Sequence, residues 1–172
     1  MKWLLAIVAI VVVVIGLVAG IGATLPESHV ATRSTDLSAT PEKVWAIITD
    51  PANYPAWRGD VTKVEQIQGD PLKWAEYSGG DKITYEADAF EPPSHFVARI
   101  ADPDLPFGGR WDYRVEPAGP GSRITITEHG EVYNPIFRFV SRFVMGHTAT
   151  IDKYLTALAA KTGDSYAPQR RN

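Results

Sequence analysis

The stretch Asn134-Pro135-Ile136-Phe137-Arg138-Phe139-Val140-Ser141-Arg142-Phe143-Val144-Met145-Gly146-His147 opens the segment whose reading decides the fold. Asn134 is a capping residue, and Pro135 takes the first helical position, where a missing N–H is no loss. Beyond them Ile136, Phe139, Val140, Phe143, His147, Ile151, Tyr154 and Leu158 recur at intervals of three and four, the mark of one buried helix face. Gly163 fits the helix stop. The spacing predicts a single helix of about 26 residues, near 40 Å long at about 1.5 Å per residue and as wide as a small domain.

Working outward from that helix, the period changes to two. Segments 122–131, 109–116, 95–100, 82–90, 73–77 and 61–67 read as strands, with Pro- and Gly-rich turns between them, among them Gly69-Asp70-Pro71 and Pro92-Pro93. Further upstream His29-Val30-Ala31-Thr32-Arg33-Ser34-Thr35-Asp36-Leu37 reads as a first strand. A helix follows it. Ser38 or Thr40 caps, Pro41 and Glu42 open, Val44, Trp45, Ile47 and Ile48 form the apolar face, and Asp50-Pro51 stops it. Residues 53–60 carry Tyr54 and Trp57 in a second short helix or turn. The strand pattern is that of an antiparallel meander, which must bury one face, and the long helix is its evident cover. With strong curvature, the two leave a cleft between them.

Ahead of this domain, residues 3–25 hold no charged side chain. As a helix they would reach roughly 34 Å, enough for a hydrocarbon core of about 30 Å. The run is longer than the apolar core of a signal peptide, so it reads as an uncleaved transmembrane anchor. A cleaved signal sequence, with Gly20-Ile21-Gly22 as its site, is the alternative. Lys2 precedes the span, and Glu27, Arg33, Glu42 and Lys43 follow it, which places the short head in the cytoplasm and the domain on the extracytoplasmic side of the cell membrane. The expected organisation is an anchor over 1–25, one domain over 26–163 and a polar, disordered tail over 164–172.

The net charge is −3, and because Lys2 is the sole charge in the first 25 residues, the remainder carries −4. Such a domain is a poor nucleic-acid binder. The absence of cysteine rules out disulfides, thiolate metal sites and cysteine nucleophiles.

The order of elements, together with Ala39-Thr40-Pro41-Glu42-Lys43-Val44-Trp45, Asp50, Tyr54-Pro55-Ala56-Trp57, Arg123-Ile124-Thr125-Ile126-Thr127-Glu128 and Asn134-Pro135-Ile136-Phe137, resembles a large superfamily. It holds the START lipid-transfer domains, the Bet v 1 plant allergens and the bacterial polyketide cyclases. The residues are most similar to the polyketide cyclase/dehydrase and lipid-transport group, over residues 29–161. The resemblance implies an α+β helix-grip fold: a curved antiparallel sheet of about seven strands around a long C-terminal helix, here preceded by one N-terminal transmembrane helix. It also implies a hydrophobic ligand cavity between sheet and helix. It does not fix an activity, since its members include enzymes, carriers, receptors and chaperone cofactors. The Gly-rich loop of the plant allergens has no close match here.

Among residues able to carry chemistry, the histidines (His29, His95, His129, His147) lack metal-ligand spacing, and no metal or cofactor is expected. His147 shares the apolar stripe with Phe143 and Ile151, so it is expected to face the sheet or cavity. Glu128 and His129 are neighbours on a strand and point to opposite faces; if Ile124 and Ile126 face the core, Glu128 turns inward. Trp111 and Tyr113 share a face. The loop Pro103-Asp104-Leu105-Pro106-Phe107-Gly108-Gly109 reads either as a lid or membrane-touching tip exposing Leu105 and Phe107 or, as the preferred reading, as a plain loop with its side chains tucked inward.

The sequence thus predicts a membrane-anchored binder of a hydrophobic small molecule or lipid, with Trp57, Tyr85, Trp111, Tyr113, Phe139, Phe143 and His147 in the cavity wall. Two rivals stand beside it. One is a cyclase or dehydratase, which needs two of Glu128, His129 and His147 within reach of each other in the cavity. The other is a protein-interaction module with a filled cavity.

Overall fold

The computed structural model describes residues 1–69 and 71–167. Asp70 in the expected Gly69-Asp70-Pro71 turn, and 168–172 of the expected tail, lie outside the described residues. Helix α1 (Lys2–Thr24) comes first. The domain follows as β1 (Ser28–Leu37), α2 (Pro41–Ile48), a 3-10 turn (Pro51–Ala56), β2 (Lys63–Ile67), β3 (Lys73–Ser78), β4 (Asp81–Glu91), β5 (His95–Ile100), β6 (Phe107–Ala118) and β7 (Gly121–Val132). It closes with α3 (Pro135–Val140), a π turn (Ser141–Met145) and α4 (Ala149–Thr162).

The seven strands form one antiparallel sheet in the order β1-β7-β6-β5-β4-β3-β2. Consecutive strands pair as hairpins from β2 to β7, and only β1 crosses, to lie against β7 with Ser28 opposite Glu131 and Leu37 opposite Ser122. A bulge at Asp88 breaks the β4–β5 register between Ala87 and Ala89. Bulges bend a strand and raise its twist, which helps the sheet curl. At Gly109 the backbone takes φ 120°, and a Cβ there would overlap the His129 carbonyl, so only glycine fits this crossing of β6 and β7.

One face of the sheet carries Trp74, Phe96, Tyr113, Val115, Ile124 and Ile126, all buried. α4 covers it with Ile151, Tyr154, Leu155 and Leu158, and α2 closes one end with Val44, Trp45 and Ile48. α2 starts and stops where expected, though Thr40 makes no side-chain capping hydrogen bond. Thr40 is the N-cap, Pro41 opens the first turn, and Thr49 Oγ1 returns a 2.8 Å hydrogen bond to the Trp45 carbonyl at the end.

The continuous C-terminal helix is the main correction. The cap is as expected, with Asn134 Oδ1 accepting from Ile136 N at 2.9 Å and Phe137 N at 3.3 Å. After one and a half turns the chain loosens: Gly146 N donates to the Ser141 carbonyl five residues back (2.9 Å), and Gly146 itself takes φ 78°. A residue in that conformation cannot continue a right-handed helix, so α4 restarts at Ala149 on a new axis. Gly163, at φ 86°, ends α4 as expected. The three-and-four stripe is therefore split. Its second half, from Ile151 on, enters the core, while Ile136 and Phe143 in the first half are exposed.

Helix α1 stands outside the domain, exposed along nearly its whole length, and is long and apolar enough to cross a membrane. It meets the domain only near its end, where it packs on α3 and Gly22 is buried. After α4 the chain docks before leaving the described region. Asp164 Oδ2 accepts from Ser38 N, Ser38 Oγ and Thr162 Oγ1, and the Tyr166 hydroxyl donates to Asp152 Oδ1 at 2.6 Å.

Candidate ligand cavity

A cavity of about 550 Å³ lies between the concave face of the sheet and the C-terminal segment. That volume falls within the usual range for a small-molecule site, about 300–1,000 Å³. β6 lines it with Trp111 and Tyr113, β4 with Ile83 and Tyr85, and β5 with Ala98 and Ile100. The rings interlock: Trp74 stacks on Tyr85 (centroids 5.5 Å apart), and Tyr154 meets Trp111 at 5.8 Å and Tyr113 at 5.6 Å. Such contacts hold aromatic walls rigid while leaving an apolar surface.

Of the residues predicted for the wall, Tyr85, Trp111, Tyr113 and His147 line this cavity. Trp57 sits behind it, edge-on to Tyr54 and Tyr154 at 5.6 and 5.4 Å. Phe139 and Phe143 are not in the wall. They pack on each other (4.9 Å) on the α3 and π-turn side, where the break at Gly146 has turned that face away from the sheet. In their place Phe137, Val140 and Met145 form the mouth. Phe107, expected in a loop, instead begins β6; it is half-buried and lines the cavity, and Leu105 is half-buried too, in line with the inward-tucked reading.

Two polar clusters interrupt the apolar wall. The deep one is built on Arg58 and Glu76, both lining the cavity. Arg58 Nη1 lies 3.0 Å from Glu76 Oε2, and its Nη2 lies 3.0 Å from Asp60 Oδ2. The guanidinium sits between the Tyr54 and Tyr154 rings, 5.1 and 5.2 Å from their centroids. Trp74 Nε1 donates to Glu76 Oε1 at 2.9 Å. Burial pushes the Glu76 carboxyl above its ordinary pKa, with Arg58 pulling the other way. Burial alone would lower the Arg58 pKa, but Glu76 and Asp60 outweigh it and hold the guanidinium above its usual value. Arg58 Nε is buried with no hydrogen-bond partner among the described residues.

The second cluster is at the mouth. Ile124 and Ile126 are fully buried, so alternation along β7 carries Glu128 into the cavity and turns His129 to the outer face. Glu128 Oε1 is 3.4 Å from His29 Nε2, and Thr150 Oγ1 donates to Glu128 Oε2 at 3.1 Å. The His29 ring stacks on that of His147 at 4.0 Å, and Ser141 Oγ is 3.3 Å from His147 Nδ1. Gly130 makes room for this stack, because a Cβ there would collide with the His29 ring. Burial raises the Glu128 pKa, against the pull of the Thr150 hydroxyl, and lowers that of His29. Among the described residues no group of three or more His, Asp and Glu side chains is arranged to hold a metal ion.

Sequence reasoning did not place Arg58, Glu76 or His29 in the cavity. Glu76 had a readable signal: it shares a strand face with Trp74, so an inward tryptophan carries it inward. Arg58 and His29 had none, since each meets its partners only through tertiary contacts.

Residues 28–162 match the family described as polyketide cyclase / dehydrase and lipid transport. An uncharacterized protein of Mycobacterium tuberculosis is 26% identical over 123 residues, 67% of this chain and 74% of that one. A START superfamily protein from Mycobacterium smegmatis has the same fold (TM-score 0.65, 15% identity, 78% of this chain and 97% of the other). So does the di-domain ARO/CYC StfQ of the steffimycin biosynthetic pathway, of which this chain spans about half (TM-score 0.65, 10% identity, 79% and 51% covered). At these identities the structural likeness speaks for the fold alone. The match over most of the chain settles the kinship: the chain belongs to the polyketide cyclase/dehydrase and lipid-transport family.

Proposed function

We propose that this protein is a membrane-anchored binder of one hydrophobic small molecule or lipid, which it sequesters and hands on or senses. The carrying observation is the cavity of about 550 Å³, walled by aromatic and aliphatic side chains and open at a rim of Phe137, Val140 and Met145. Burial of apolar ligand surface there supplies the driving force, at about 25 cal/mol per Å². The anchor, residues 1–25, confines the 26–163 domain near a bilayer source, and the charge pattern around the span favours the extracytoplasmic side. The test is mass spectrometry of the full chain in mild detergent after incubation with a cellular lipid extract. A single lipid-sized species retained near one-to-one supports the reading; a cleanly empty protein refutes it.

One observation favours a second reading, acid–base chemistry on the bound molecule. Glu128 and His147 both face the cavity and are joined through His29, 3.4 Å from the carboxylate and 4.0 Å from the second ring. A carboxyl with a raised pKa beside a neutral imidazole can move a proton to or from a ligand near neutral pH. Chemical change of a retained ligand by the native chain, lost in Glu128→Gln with binding intact, would establish it; unchanged ligand would remove it.

A further inference from the structure

Outside α1, most of the exposed large apolar side chains lie on the segment that follows β7, where α1 joins the domain. Over ten residues of α3 and the π turn, Ile136, Phe137, Phe143, Val144 and Met145 are 37%, 47%, 59%, 71% and 61% exposed. A soluble surface rarely gathers so much apolar area without a partner. The join itself says what the partner is. Gly22 packs on α3 so closely that a Cβ would overlap the Pro135 carbonyl. Val18 and Ala19, one turn earlier on the same face of α1, are half-buried. Taking the centre of the apolar run, near residue 14, as the bilayer midplane, Gly22 lies about 12 Å and Val18 about 6 Å from it, inside a hydrocarbon half-thickness of about 15 Å. Whatever packs against that turn of α1 is held at membrane depth. Arg138 fixes the arrangement, donating to the Leu25 carbonyl at 2.9 Å and the Tyr133 carbonyl at 3.1 Å, and reaching Glu27 Oε1 at 3.2 Å. Arg142 is exposed on the same segment, a cation for headgroup phosphates.

We infer that α3 and the π turn are seated in the bilayer beside α1, and that the cavity mouth opens directly into the lipid. Phe137 and Met145 belong both to this patch and to the cavity wall, so mouth and membrane-seated face are one surface. The ligand is then a bilayer-resident amphiphile that passes between membrane and cavity without crossing water. The inference rests on α1 spanning a bilayer and names the source from which the proposed ligand enters.

The test uses the full chain, whose lack of cysteine makes any introduced one unique. An environment-sensitive nitrobenzoxadiazole label is placed at Val144→Cys, at Ala9→Cys within α1, and at Glu116→Cys. Glu116 is exposed near the far end of β6, about 30 Å from Phe107 at about 3.3 Å per residue. The proteins are reconstituted in phosphatidylcholine–phosphatidylglycerol vesicles with or without bromine on the acyl chains. The inference expects blue-shifted emission and loss of most of it to bromine at positions 144 and 9, with none at 116. Quenching at 9 but not at 144 overturns the seat. So does a blue shift at 144 that bromine leaves untouched while copies crosslink through that position, which assigns the face to a second copy. No quenching at 9 overturns the span and the inference with it. Ligand content of the same preparations separates this from the carrier reading: retained lipid with unquenched 144 removes the seat alone, and an empty protein with quenched 144 removes the carrier alone.

Discussion

Replacing Arg58 by methionine tests whether the deep polar cluster is a true buried ion pair. The side chains of Arg58 and Glu76 are 13% and 8% exposed, so neither charge is solvated once its partner is gone. Breaking a pair of that kind by removing one member destabilises by about 3–5 kcal/mol. Loss of the guanidinium from between Tyr54 and Tyr154 adds about 1 kcal/mol. The expected loss of about 4–6 kcal/mol is a large part of the 5–15 kcal/mol typical of a domain. Its pH dependence has a definite sign. The Glu76 pKa is already raised by burial, and without Arg58 it rises further. In that window the folded state binds the proton more tightly than the unfolded state, so stability falls as pH increases above the ordinary carboxyl value of 4.5. Arg58→Met should thus be far more damaging in alkaline than in mildly acidic buffer. Adding Glu76→Gln, which keeps an acceptor for Trp74 Nε1, should restore most of the loss and flatten the pH dependence. Urea unfolding of the full chain in non-ionic detergent, followed by tryptophan emission, reads the native protein and both variants. A loss below about 1 kcal/mol, or one equal at both pH values and untouched by the second substitution, would refute the reasoning.

Three further outcomes are expected. Glu128→Gln should raise the unfolding midpoint at alkaline pH and leave it nearly unchanged near pH 5, because the burial that raises the Glu128 pKa penalises only the charged form; a lowered midpoint at alkaline pH would contradict this. Ala98→Phe, at a buried wall position, should fill part of the cavity and abolish retained ligand in a protein whose far-ultraviolet spectrum is native; unchanged ligand content by mass spectrometry would sink the cavity as the binding site. Gly109→Ala, at φ 120° against the His129 carbonyl, should cost about 1–3 kcal/mol in urea unfolding, and a neutral result would mean β6 relaxes freely there.

Much of this protein was legible in its sequence because the deciding signals are local. A long run of residues that is apolar all round and free of Pro reads as a helix from composition alone, so the existence of α1 needs no tertiary knowledge. Alternation with turn residues fixes strands, and the Pro41 and Asn134-Pro135 signals fix helix starts, since caps and proline act on their own backbone. The inward turn of Glu128 was legible only on the condition that Ile124 and Ile126, four and two residues away, face the core, which their burial in the structure fulfils. What spacing could not convey was the axis on which a helix continues. The residues from Ile136 to Leu158 keep a perfect three-and-four rhythm, yet the positive φ of Gly146 splits them between core and surface, moving Phe139 and Phe143 out of the wall and Phe137 and Met145 into its rim. Nor could it pair Arg58 with Glu76, or His29 with Glu128 and His147, because those contacts join residues 18, 99 and 118 positions apart along the chain. The sequence by itself determined the apolar span, the strands and the family. Only the tertiary structure decided which side chains face the cavity and that its rim lies beside α1, because both depend on how the curved sheet and the broken C-terminal segment bring distant residues into contact.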